Sequence, residues 1–237
     1  MDGGPPGTFH TAFGRAEQSC TRPGATRPAI VPAVAIYLIR HAETACNAAR
    51  VVQTPRTPLS PRGRAQAEKL ARRLAGAGIA AILSSDLARA AMTAERIAAA
   101  TGLAVAPEPL LRERDFGDVR GTPYAELAAR GIAVFGPDYA PPGGETWGAF
   151  HARVERAWEA VERAAARSPG HLAVVTHGLV CHSMVSRRVG AALGPDAAGA
   201  FPNSALTIVE GPPWRVALLG CTAHLDALEE GEVLPAL

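Results

Sequence analysis

The chain has 237 residues, 48% of them hydrophobic and 19% charged, and a formal net charge of +2. That composition suits a globular domain with one sizeable core and excludes a general polyanion binder. Lysine is almost absent, arginine abounds, and no basic block amounts to a nucleic-acid patch.

Residues 1–30 are rich in Gly, Pro, Thr and Arg without a period and read as a disordered extension. The apolar run 33–39 follows, β-branched and aromatic enough for a buried strand. Residues 29–39 also resemble a signal-peptide core, with Arg22 and Arg27 before it and an Ala33-Val34-Ala35 triplet, but the run is better used as the first strand. No stretch approaches the ~20 apolar residues of a membrane helix. Ser60-Pro61 predicts the start of a helix over 61–76, with a stripe of Ala67, Leu70, Ala71 and Leu74, ended by Gly76 and Gly78. A strand at 79–83 and a helix over 87–100 capped by Ser84-Ser85-Asp86 come next. A short strand near 103–106 leads into a loop, 109–121.

Thr122-Pro123 predicts a brief helix. After Pro141-Pro142-Gly143-Gly144 comes a long one, 146–167, in which Trp147, Phe150, Val154, Trp158, Val161 and Ala165 keep helical spacing and face a core. A strand at 171–176, a helix from 178 and two strands at 204–210 and 214–219 complete a single domain over 31–225. Residues 226–237 form an acidic tail. The alternation of strands and helices predicts an α/β fold, a three-layer α/β/α sandwich around a mainly parallel sheet. The four cysteines (Cys20, Cys46, Cys181, Cys221) lack paired spacing, which suits a reducing, cytoplasmic setting.

Polar residues collect at strand ends, where open α/β sheets bind ligands. Arg40-His41 ends the first strand, joining a planar fork of donors to an imidazole nucleophile, with Asn47 close behind. Arg89 lies in the first turn of a helix, where exposed amides favour an anion. Thr176-His177-Gly178 ends another strand with a second histidine and a glycine that lets a phosphate approach the backbone. Leu111-Arg112-Glu113-Arg114 lies in a charged loop.

Taken together, Arg40-His41-Ala42-Glu43-Thr44 with Asn47, Thr57-Pro58-Leu59-Ser60 with Gly63, Gln66 and Ala67, Ser85-x-Leu87-x-Arg89-Ala90 with Thr93-Ala94, Leu111-x-Glu113 with Phe116-Gly117 and Gly121, Pro142-Gly143-Gly144-Glu145, and Thr176-His177-Gly178 occur in one order. In that order they resemble the histidine phosphatase (phosphoglycerate mutase-like) superfamily, in its compact bacterial phosphatase form. The resemblance implies that His41 is the nucleophile, forming a phosphohistidine. It implies that Arg40, Asn47, Arg89, His177 and Gly178 bind the phosphoryl group. Glu113 would protonate the leaving oxygen and then activate water. No metal or other cofactor is expected, because two guanidiniums and an imidazolium would supply the positive charge.

The chain departs from the family pattern at Ala42 (usually glycine), Thr54, Arg56, Met92 and Val119-Arg120. The substrate rim is expected at Gln53, Thr54, Arg56, Arg114 and Phe116, with Arg56 and Arg114 favouring an anionic leaving group. The expected partner is a small phosphorylated metabolite, with no nucleic acid or membrane, and the chain acts as a monomer or homodimer. Three competing readings exist. Cys181 to Arg187 has the Cys-x5-Arg spacing of cysteine phosphatases, but in a helix-like stretch without glycine. A phosphoglycerate mutase would need more than the roughly thirty residues between Glu113 and Gly144, and this chain has Leu179-Val180 where mutases tend to have Asn-Ser. A non-catalytic phospho-ligand binder would have lost His41 or Glu113.

Overall fold

The computed structural model describes residues 34–190 and 200–226. The N-terminal extension, Cys20 and all of the acidic tail except Asp226 lie outside those residues. Six strands form one sheet in the order β3-β2-β4-β1-β5-β6. They span Ala35–Arg40 (β1), Ile79–Ser84 (β2), Val105–Pro107 (β3), His171–Thr176 (β4), Leu206–Glu210 (β5) and Arg215–Cys221 (β6). The first four run parallel, while β5 and β6 are antiparallel additions beside β1. The sheet is therefore mainly parallel, as expected.

Side chains on a strand alternate between faces, and both faces of β1 are buried. Ile36 and Leu38 join Leu172 and Val174 beneath α5 (Trp147–Arg167) and α6 (Gly178–Arg187), packing on Phe150, Val154, Trp158 and Met184. Tyr37 and Ile39 face the other way, with Ile82 and Val175, against α2 (Pro61–Leu74) and α3 (Ala88–Thr101). That gives the expected three layers. Leu70 and Leu74, fully buried on the predicted stripe of α2, each contribute roughly 1.5–3 kcal/mol by leaving water. No helix among the described residues is long and apolar enough to cross a membrane.

Local chemistry sets the ends of the elements. Ser60 caps α2 by accepting from the Gly63 amide, with Pro61 at the first helical position. The expected cap of α3 does not form. Leu87 occupies the N-cap without a side-chain bond, because Asp86 is drawn into a bidentate pair with Arg112 and Ser85 turns to His177. The loop 109–121 is more ordered than expected, with 3-10 turns at Pro109–Leu111 and Gly117–Val119. A small cluster of Val52, Phe116, Val119, Leu127 and Val134 underlies it.

Candidate active site

The register places Arg40 beside Thr176 and Ser84 beside Val175. The residues that follow these strands, His41, Ser85 and His177, therefore emerge at one edge of the sheet. The backbone continues the pairing past the strand ends: His41 N donates to Thr176 O at 2.8 Å and Ser85 N to Val175 O at 2.9 Å.

His41 is 2% exposed, and its Nδ1 lies 2.7 Å from the Ala42 carbonyl. A carbonyl only accepts, so Nδ1 carries the hydrogen and Nε2 keeps a lone pair. Burial, then the charges of Arg89 and Arg40, hold this imidazole well below its ordinary pKa. It is a neutral base whose orientation is fixed. Ala42, the departure from glycine, is fully buried and its amide donates to Thr93 Oγ1 at 3.1 Å, so the methyl is accommodated.

Arg40 spends Nη1 on the Phe201 carbonyl at 2.7 Å, and Arg89 spends Nη1 on the Thr54 carbonyl at 3.1 Å. Four buried side-chain polar atoms have no partner among the described residues, and three of them are Arg40 Nε, Arg89 Nε and His177 Nδ1. A buried polar atom without a partner costs about 1–3 kcal/mol. Three in one place mark a subsite for an anion rather than three separate errors of packing. Desolvation lowers the pKa of Arg89 to about 10, which leaves it a cation at neutral pH.

His177 departs from the expectation of an imidazolium. Burial first, then Arg89, His41 and Arg40, push its pKa well below the ordinary value, so the ring is neutral here. Its Nε2 lies 2.8 Å from Ser85 Oγ. Among the described residues Ser85 Oγ has no other acceptor, so its hydrogen can point at Nε2; in that tautomer the unpartnered Nδ1 carries a hydrogen and is a donor. Gly178 follows; a Cβ there would sit 3.5 Å from the Arg40 guanidinium, in ordinary contact.

Asn47 lies in α1 (Ala45–Ala48). Its Oδ1 accepts from the Thr44 amide at 3.1 Å and from Asn203 Nδ2 at 3.2 Å, which leaves its own Nδ2 as the free donor. Asn203 also donates to the His41 carbonyl at 3.1 Å. Phe201 and Asn203, in the segment before β5 and beside β1, thus hold the clamp, and the sequence reading missed both. Neither belongs to a motif, and Asn203 is separated from Asn47 by 156 positions.

Glu113 is half-buried, and its carboxyl takes the Arg114 amide at 3.0 Å and the Leu179 amide at 3.3 Å. Burial raises its pKa, outweighing those amides and the charges of Arg89 and Arg40. A carboxyl poised toward its protonated form suits a general acid. Its loop is held by Arg153 of α5, a further residue that the sequence reading did not single out. Arg153 forks onto Glu145, Nε to Oε1 and Nη2 to Oε2, both at 2.7 Å. Its Nη1 also donates to the Leu110 and Arg112 carbonyls at 2.7 Å, and Nη2 to the Glu113 carbonyl at 3.3 Å.

The structure places the expected rim unevenly. Arg56 is exposed and lines a cavity of about 1440 Å³ that opens from the clamp, together with Gln53, Thr54 and Phe116. Arg114 borders it too, but it is 2% exposed and its guanidinium is already engaged. It donates to the carbonyls of Glu145 (3.0 Å), Val134 (3.3 Å) and Tyr139 (2.5 Å), and stacks 3.9 Å from the Trp147 ring centre. That geometry ties loops together and gives each guanidinium nitrogen a carbonyl partner. The lining also includes His151 and His182, which motif reading did not select. Cys181 is fully buried within α6, and burial pushes its thiol pKa up, so the Cys-x5-Arg spacing does not make a thiolate site. Among the described residues no group of three or more His, Cys, Asp or Glu is placed to hold a metal ion.

A family model described as the histidine phosphatase superfamily (branch 1) matches residues 36–222. A probable phosphoglycerate mutase from Yersinia pestis (strain Pestoides F) is 34% identical over 212 residues, covering 82% of this chain and 97% of that one. Among solved structures, a putative alpha-ribazole-5'-P phosphatase from Escherichia coli K-12 superposes with a TM-score of 0.71 at 26% identity, over 80% of this chain and 97% of that one. A mycobacterial glucosyl-3-phosphoglycerate phosphatase, in complex with VO3, superposes with a TM-score of 0.70 at 26% identity, over 80% of this chain and all of the other.

Proposed function

The chain belongs to the histidine phosphatase superfamily, and on that premise we propose that it hydrolyses a small phosphomonoester through a phosphohistidine at His41. The observation that carries this reading is the convergence of Arg40 Nε, Arg89 Nε and His177 Nδ1, all buried and unpartnered, beside an imidazole fixed with its Nε2 free.

Nε2 of His41 attacks phosphorus and the bond from phosphorus to the leaving oxygen breaks. Glu113 gives that oxygen its proton. The clamp holds the non-bridging oxygens as charge develops, with Asn47 Nδ2 as a further donor. Glu113, now a carboxylate, takes a proton from water, which attacks phosphorus. The bond from phosphorus to Nε2 breaks, returning a neutral imidazole and releasing inorganic phosphate. The two guanidiniums supply fixed positive charge throughout, so the scheme needs no metal. Free thiols at Cys46, Cys181 and Cys221 fit a cytoplasmic enzyme.

A mutase reading deserves a direct test, because the Yersinia pestis relative carries that name. Against it stands the cavity's charge. Arg112 is paired with Asp86, Arg120 with Asp115, Arg153 with Glu145, and Arg114 is engaged by carbonyls. Beyond the clamp, Arg56 is the cavity arginine with no partner among the described residues. A bisphosphate or a phosphorylated acid calls for more than that. Purified protein incubated with a panel of phosphomonoesters should release phosphate from several. Isomerisation of 3-phosphoglycerate in the presence of 2,3-bisphosphoglycerate, faster than any hydrolysis, would replace this reading with the mutase one.

A further inference from the structure

Arg153 and Glu145 make one connected bracket around the loop that carries Glu113. The Glu145 carboxylate, besides its fork with Arg153, accepts from the Asp115 amide at 3.0 Å. Arg153 binds three carbonyls on the near side of the loop, those of Leu110, Arg112 and Glu113. Residues 110–115 are thus gripped on both sides of Glu113 by a pair whose side chains are only 13% and 22% exposed. The bracket stands on rigid ground, since Arg153 lies on the long helix α5 next to the buried Val154. Arginine suits this task because its planar fork engages a carboxylate and several carbonyls at once, which lysine cannot do.

We infer that Arg153, through its ion pair with Glu145, is a positioning residue that holds the Glu113 carboxyl against the leaving oxygen. This rests on the acid role proposed above for Glu113. A group that protonates a leaving oxygen is needed most when that oxygen leaves as an unstable alkoxide. It is needed least when the leaving group is a stabilised phenolate. A positional defect should therefore fall on one class of substrate, whereas a general loss of structure falls on both.

The test compares kcat/KM for an alkyl phosphomonoester, glycerol 1-phosphate, with that for p-nitrophenyl phosphate. Arg153→Gln and Glu145→Gln should lower the alkyl value by about 10²-fold, the scale of an ångström-sized misplacement, and the p-nitrophenyl value only a few-fold. In a Glu113→Gln background, Arg153→Gln should add no further selective loss, because the group it positions is gone. Arg153→Lys keeps the charge without the fork and should show the same selectivity in smaller measure, which preserves the test if the glutamine variant folds poorly. Equal losses on both substrates, with Glu113→Gln still selective, would overturn the positioning role alone. If Glu113→Gln itself shows no selectivity, the acid assignment fails and the positioning role goes with it.

Discussion

The imidazoles of His41 and His177 lie 5.1 Å apart, ring centre to ring centre, and neither is charged. Both are buried, and both face the cations Arg40 and Arg89. The folded state thus refuses protons that these histidines would accept in the unfolded chain near pH 6.5. Because the folded pKa values are depressed, the unfolded state gains protons as pH falls below about 6.5, and stability falls with it. Above that range the two groups contribute no pH dependence. Each should add a slope of up to ~1.4 kcal/mol per pH unit. Denaturant unfolding at pH 7.5 and 5.5 measures it, and His177→Asn should be flatter than wild type by that amount. An identical slope in the variant would mean that His177 is charged in the folded protein.

Glu113 titrates in the opposite sense. Its raised pKa means that the stability it contributes is present below about 4.5 and is lost as pH rises through its folded value. Glu113→Gln has no such loss. The variant should melt at a higher temperature than wild type at pH 7.5, while its activity on alkyl phosphomonoesters falls ~10²–10⁴-fold. A lower melting temperature would show that the Arg114 and Leu179 amides favour the ionised carboxylate outright.

Arg114 and Arg56 should separate cleanly. Removing the Arg114 guanidinium leaves three carbonyls without their donor, so Arg114→Ala should cost about 3 kcal/mol of stability. Michaelis constants for anionic and neutral leaving groups should then shift together. Arg56→Ala, at an exposed site, should stay within about 0.5 kcal/mol of wild type and raise the Michaelis constant only where the leaving group carries a second negative charge. A selective effect in Arg114→Ala would show that its guanidinium reads the leaving group directly.

Gly144 lies against the acid loop, and a Cβ there would stand 2.4 Å from the Asp115 carbonyl oxygen. Gly144→Ala should force the two loops apart at a cost of ~1–3 kcal/mol and lower activity. Gly76→Ala is the control, since nothing lies within 4 Å of its Cβ position. It should be neutral or slightly stabilising. Matching melting temperatures for the two variants would contradict the packing argument.

Much of this was legible in the sequence because it is local. The run 33–39 is apolar on both faces, which favours an interior strand over a signal-peptide core. The Ser60-Pro61 start and the Ala67, Leu70, Ala71, Leu74 stripe carried their own signals. His41, Arg89, Glu113 and His177 stand in motifs whose order is readable without a fold. What escaped depends on contacts between distant segments. Asn203, just before β5, aligns Asn47 from 156 positions away, and the helix that carries Arg153 gave no sign of its bonds to the Leu110, Arg112 and Glu113 carbonyls. Arg114, one of several charges in a dense loop, gave no sign that its guanidinium would be enclosed by three carbonyls and the Trp147 ring. Asp86 looked like a cap because nothing nearby in sequence announced Arg112 as a stronger partner.

The central claim is that His41 carries the phosphoryl group. Rapid quenching of the protein with a labelled phosphomonoester should trap an acid-labile, alkali-stable label on wild type. His41→Ala should show none, and its hydrolysis should fall by at least ~10³-fold. Hydrolysis in His41→Ala at the wild-type rate, or a label on that variant, would contradict the account.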